Sequence, residues 1–165
     1  MPSCLVLDIS MPGLNGLDLQ KRVVVERPEM PIIFITGHGN IPITVQAMKA
    51  GAVEFLTKPI SDEALLGAIR SAIIRSTALI RRDAELQVLK SRYYCLTCRE
   101  REVLALVVCG LPNKQVGSEL GISEITVKAH RGSLMRKMKA DSLAELVNMA
   151  SRLRLPRATK IIVNK

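Results

Sequence analysis

The chain has 165 residues, 48% of them hydrophobic, with a mean hydropathy of +0.21, enough apolar matter to bury the core of one ordinary domain or two small ones. No apolar run approaches the roughly 20 residues that cross a bilayer, and no leader pattern is apparent, so the four cysteines and the chain are expected in a reducing cytoplasm with no membrane partner. The formal net charge of +9 is unevenly placed: residues 1–75 carry seven Lys and Arg against seven Asp and Glu, while residues 76–165 carry 17 against eight, which points to a docking module joined to one that meets a polyanion.

The first element is the apolar run CLVLD, residues 4–8, which delivers Asp8 to its end before the chain breaks at Met-Pro-Gly. A helical pattern follows in GLDLQKRVVVERP, then a second apolar run, MPIIFITG, and a second helix, IPITVQAMKAGA. VEFLTKP is a third run and SDEALLGAIRSAIIRS a third helix, started by Ser61 as N-cap with Asp62 and Glu63 near the positive end of the dipole. Apolar runs without polar alternation, set between helices, indicate a parallel sheet covered on both faces.

Asp8, Thr36 and Lys58 each fall at the carboxyl end of one run, and in an open parallel sheet those ends line the crevice where ligands bind. Taken singly, each is also an ordinary turn residue. Together they suit a transient aspartyl phosphate, in which a carboxylate accepts the phosphoryl group, an ammonium neutralises it and a hydroxyl hydrogen-bonds a phosphate oxygen.

Through LVLDISMPGLNG, IIFITGHG, AMKAGAVEFLTKP and the helix after them, residues 3–74 resemble the receiver domain of two-component response regulators. The resemblance implies a flavodoxin-like α/β fold with Asp8 as phosphoacceptor, Thr36 as switch hydroxyl, Phe55 as the aromatic that changes rotamer with it, and Lys58 as phosphate-binding cation. It also implies a cis bond at Lys58–Pro59, Mg²⁺ held by Asp8 and the Ser10 backbone carbonyl, and a sensor histidine kinase as partner. A receiver of that family sets a strand, helix, strand and helix before the Asp8 strand, with an acidic pair that completes the Mg²⁺ site. The expectation is therefore of a partial, N-terminally truncated receiver over residues 1–74, its phosphorylation impaired and its first strand left as an apolar sheet edge.

Residues 75–90, RSTALIRRDAELQVLK, show a helical pattern with Leu79, Ile80, Leu86 and Leu89 among charges, and form a predicted helical linker or solvated spacer. In LTCREREVLALVVCG, Thr97 is an N-cap with Glu100 in the capping-box position and Gly110 a stop. Asn113 is the expected cap of the next helix, NKQVGSELG, which Gly121 ends. Ser123 is the expected cap of the one after it, and SLAELVNMASRL makes the last. Two helices on a tight Gly-containing turn make a helix-turn-helix, and Gly117 lets them approach.

By helical phase, Val127, Leu134 and Met138 share the core stripe of the third of these helices. Ala129, Gly132, Ser133 and Arg136 lie opposite, with Lys128 on a flank. A low surface of Ala, Gly and Ser lets a helix lie deep in a major groove, with Lys128 at base edges and Arg136 or Lys137 at phosphates; His130 and Arg131 go to phosphate contact or packing. Aromatics at 2% argue against stacked single-stranded bases and for a duplex.

LTCREREVLALV, GLPNKQVGSELGIS, TVKAHR and LMRKMKADSLAELVNMA make residues 91–156 similar to the LuxR-type helix-turn-helix domain; with the receiver, the whole resembles a FixJ-class response regulator. The resemblance implies an all-α four-helix domain that binds double-stranded DNA as a homodimer, through Lys114, Thr126, Lys128, Ala129, His130, Arg131, Gly132, Arg136 and Lys137. It implies dimer contacts in the last helix at Leu143, Leu146 and Val147. Residues 157–165 are a basic tail. Cys95 and Cys98 lack the second pair or placed histidine of a zinc site, and Cys4 and Cys109 read as small core hydrophobes. No enzymatic activity is expected, since no separate general base accompanies Asp8. The competing reading is an interaction protein that titrates a full-length regulator or sensor kinase without binding DNA.

Overall fold

The computed structural model describes residues 1–9, 11, 15–37 and 41–155. By its internal contacts the chain divides into two units, Met1–Asp83 and Ala84–Lys165.

The first unit runs β1 (Leu5–Asp8), α1 (Gly16–Glu26), β2 (Ile32–Thr36), α2 (Ile41–Lys49), β3 (Glu54–Thr57) and the first part of α3 (Asp62–Tyr94). The three strands form a parallel sheet in the order β1-β2-β3, in register Leu7 with Phe34 and Phe34 with Phe55. Alternation along β2 then decides what each face covers. Phe34 joins Leu7 and packs with Leu17 of α1 and Ala47 of α2, while Ile33 points the other way onto Ala68 and Ala72 of α3. The sheet is thus covered on both faces, as its unalternating strands require. Among the described residues β1 is an outer strand, with Val6 38% exposed.

Ser61 starts α3 by accepting from the Ala64 backbone N–H at 3.2 Å. The helix then continues for 33 residues. No glycine or proline interrupts residues 68–94, so nothing in the backbone stops it. The expected third helix and the expected linker are therefore one element. Leu89, placed in the linker by its sequence, is buried in the core of the second unit. That unit's packing begins ahead of residue 91.

The second unit holds the end of α3 with α4 (Cys98–Val107), α5 (Asn113–Leu120), α6 (Glu124–Met138) and α7 (Leu143–Arg152). Val103, Val116, Val127, Leu134 and Met138 are fully buried at its centre. The Thr97 capping box forms with both arms, and Ser123 accepts from the Thr126 backbone N–H at 3.1 Å. Asn113 does not cap α5. Pro112 occupies the N-cap position with no side-chain bond, and the Asn113 amide oxygen instead accepts from Arg131 at 2.6 Å. Cys109 is exposed and Cys4 half-buried, so Cys109 is not the core residue expected. The basic tail, 157–165, lies outside the described residues, and among those described no helix is long and apolar enough to cross a membrane.

Candidate functional site

In the first unit, Asp8 ends β1, Thr36 ends β2, and Lys58 follows β3 directly. Parallel register sets these ends side by side, with Asp8 opposite Ile35 and Thr36 opposite Thr57. The Lys58 backbone N–H donates to the Thr36 carbonyl at 2.8 Å, extending the ladder one step past the strand. From there the Lys58 ammonium reaches across β2 to Asp8 Oδ2, at 2.7 Å. Thr36 is buried, at 3% exposure. The Lys58–Pro59 bond is cis, as the resemblance implied.

Gly16 sets how closely α1 can begin to the end of β1. A Cβ on it would stand 3.0 Å from the Asp8 carbonyl oxygen and 3.2 Å from both Ile9 Cα and Phe34 Cε1. Only a residue without a side chain lets α1 start this close to the end of β1. Asn15 caps that start by accepting from the Leu17 backbone N–H at 3.0 Å. Phe55 is half-buried on the Phe34 face. Ser10, the expected carbonyl ligand, lies outside the described residues, and among those described no group of three or more His, Cys, Asp or Glu is placed to hold a metal ion. The described residues alone therefore do not fit a Mg²⁺ site, although Asp8 supplies one carboxylate.

In the second unit the turn between α5 and α6 is fixed by two glycines. Gly121 ends α5 at φ 65°, a left-handed conformation that favours glycine. Gly117 is buried, and a Cβ there would meet the Ile122 carbonyl oxygen at 2.7 Å. The turn closes on the helix only because that Cβ is missing.

Two polar clamps then set the rotation of α6. Arg131 donates to Asn113 of α5, and Glu100 of α4, 4% exposed, accepts from Ser133 at 2.6 Å and from Lys137 at 2.7 Å. The same carboxylate takes the Thr97 backbone N–H at 2.8 Å. Burial by itself raises the Glu100 pKa, and the bonds from Lys137, Ser133 and Thr97 outweigh it, lowering the carboxyl to about 2.

These clamps correct the sequence reading. Ser133, expected on the outward face, and Lys137, expected at phosphates, both turn toward α4 and are engaged by Glu100, while Arg131 is held against α5, one of the two places its helical phase allows. The outward ridge is Ile125, Ala129, Gly132 and Arg136, spaced i, i+4, i+7 and i+11 and all exposed. Ile125 was missed, although its spacing of four from Ala129 was the available signal. Lys128 is exposed beside this ridge and paired with Glu124 at 3.1 Å. Lys114 on α5 is exposed, the Thr126 hydroxyl lies 2.8 Å from that of Ser123, and His130 is half-buried. In α7, Leu143 and Val147 are exposed, but Leu146 is 1% exposed in the helical core and so cannot face a partner.

A parallel sheet with Asp8, Thr36 and Lys58 at its carboxyl end, followed by a helix-turn-helix bundle, defines a receiver-like unit joined to a DNA-reading one. Residues 1–70 match the family described as response regulator receiver domain, and residues 95–150 match bacterial regulatory proteins, luxR family. The chain is 53% identical over 153 residues to Nodulation protein W of Bradyrhizobium diazoefficiens, covering 92% of this chain and 66% of that protein. It is 46% identical over 151 residues to Response regulator protein TmoT of Ectopseudomonas mendocina, covering 92% and 69%. A solved structure of response regulator StyR superposes with a TM-score of 0.76 at 46% identity, covering 90% of this chain and 75% of that one. The chain belongs to the two-component response regulators that carry a LuxR-family DNA-binding domain, and it spans about two thirds of the length of these curated relatives.

Proposed function

We propose that the chain is a transcriptional regulator that binds duplex DNA through the outward ridge of α6, with Asp8 as the phosphoacceptor of its receiver unit. The observation that carries the reading is the clamped α6, whose buried stripe and Glu100 contacts leave Ile125, Ala129, Gly132 and Arg136 facing solvent. Ala129 and Gly132 keep the middle of the ridge low, so the helix can approach the groove floor while Arg136 meets a phosphate and Lys128 a base edge. To do so Lys128 leaves Glu124, an exposed i,i+4 pair worth at most about 0.5 kcal/mol. Lys114 on α5 adds a second phosphate contact. A second copy docks through α7 at Leu143 and Val147, giving a homodimer on DNA, in the cytoplasm. The chemistry at Asp8 is modification of the chain's own carboxylate by a phosphoryl group from a sensor kinase, so the protein is not an enzyme acting on a separate substrate.

Fluorescence anisotropy of a labelled duplex titrated with the full chain at rising salt tests the reading. Affinity is expected to fall linearly on a log–log plot against salt. Arg136→Ala is expected to weaken all duplexes alike, and Lys128→Ala to change which sequence is preferred. Binding absent at low salt overturns the reading.

A further inference from the structure

Ile125 is 79% exposed, the most exposed of the large apolar side chains described in the second unit. It contributes nothing to the core built by Val127, Leu134 and Met138 on the opposite side of α6. Burying such a side chain is worth about 1.5–3 kcal/mol, and although single exposed apolar residues are common on protein surfaces, the place of this one in the fold sets it apart. It stands at the second residue of α6, in the first turn after the Ser123 cap. A helix-turn-helix points that turn of its second helix at base edges. Behind it on the ridge, Ala129 and Gly132 present almost no side chain, so Ile125 projects furthest at that end. A β-branched side chain is also stiff about χ1, which lowers the entropy lost on contact.

In the major groove, base edges offer hydrogen-bond donors and acceptors together with a single apolar group, the C5-methyl of thymine. Ile125 has no polar atom to offer the first kind. We propose that Ile125 is a specificity-determining residue that packs on a thymine methyl group in the major groove. The inference rests on the DNA-binding reading above.

The test begins by selecting duplexes from a random pool with the full chain, then replacing each thymine of an enriched duplex in turn by deoxyuridine, which deletes the methyl and leaves every hydrogen-bonding group. At the thymine that meets Ile125, Kd is expected to rise about three- to five-fold, the cost of one exposed methyl. Ile125→Ala is expected to bind the thymine and uracil duplexes alike while keeping the wild-type salt dependence, because no phosphate contact is removed. Since Ile125 is outside the core, the variant stays folded, which an unchanged tyrosine-detected urea melt verifies. A uracil penalty at no position, or one that persists undiminished in Ile125→Ala, overturns the inference and leaves DNA binding standing. Failure to enrich any duplex, with no salt-sensitive binding, takes down both.

Discussion

Glu100 does three things with one carboxylate: it completes the α4 capping box, receives the Ser133 hydroxyl and pairs with Lys137. Its folded pKa of about 2 lies below the ordinary 4.5, so its contribution to stability is full above pH 4.5 and is lost as pH falls toward 2. The shift corresponds to at most about 3 kcal/mol. Urea melts at pH 7 and pH 3 should show a larger loss for the wild type than for Glu100→Gln, which keeps the shape and lacks the charge. Equal losses would mean that Glu100 does not carry this linkage. At the other site, Asp8→Asn keeps the size of the side chain and removes the carboxylate whose exposed ion pair with Lys58 is worth about 0–1 kcal/mol, and a urea melt verifies that the variant is folded. Incubation with acetyl phosphate and Mg²⁺ then tests the chemistry: because Asp8 is the one carboxylate at this site among the described residues, intact mass should show one phosphoryl group added slowly to the wild type and none to Asp8→Asn. Addition to both would place the acceptor elsewhere. Asp8, Thr36 and Lys58 were legible in sequence because each ends an apolar run, and parallel register aligns run ends without reference to anything else. Ser133 and Lys137 were not, because helical phase separates buried from outward faces of one helix but does not say which flank meets α4.

At the scale of elements, the turn between α5 and α6 depends on Gly117 more than on any cap. A Cβ 2.7 Å from the Ile122 carbonyl oxygen meets backbone, which has no flexible end to yield. Gly117→Ala gains some helix propensity and should still lose about 1–3 kcal/mol through overpacking. Both tyrosines, Tyr93 and Tyr94, lie in the second unit, so their fluorescence during a urea melt reports that unit alone. A variant as stable as the wild type would show that the turn opens readily. The capping box at Thr97 and the cap at Ser123 were both visible in sequence, since each is a local rule about a few consecutive residues, whereas α4 already ends at Val107, ahead of the expected stop at Gly110. Asn113 obeyed the same local rule and still went elsewhere, because Arg131, 18 residues on, gives its amide oxygen a charge-assisted bond. The length of α3 is not legible for the converse reason: residues 75–90 carry no stop signal, so nothing in the sequence marks whether the third helix ends before the helical linker begins.

At the scale of the whole molecule, the two units keep nearly the whole charge asymmetry found between residues 1–75 and 76–165. Met1–Asp83 carries nine Lys and Arg against eight Asp and Glu, while Ala84–Lys165 carries 15 against seven. Counterions released on binding a duplex are counted by the cations that reach phosphates, not by total charge. The second unit should therefore set the whole salt dependence. Arg70 and Arg75 supply the comparison, since both are exposed on α3 within the first unit and resemble Arg136 in charge and length. Replacing both by Gln removes two positive charges from the chain but should leave the slope of log affinity against log salt as it was. Arg136→Gln removes one charge and should reduce the slope by about one. A fall in slope with Arg70 and Arg75 would mean that α3 itself lies along the phosphates, so that the helix shared by the two units is part of the DNA-binding surface.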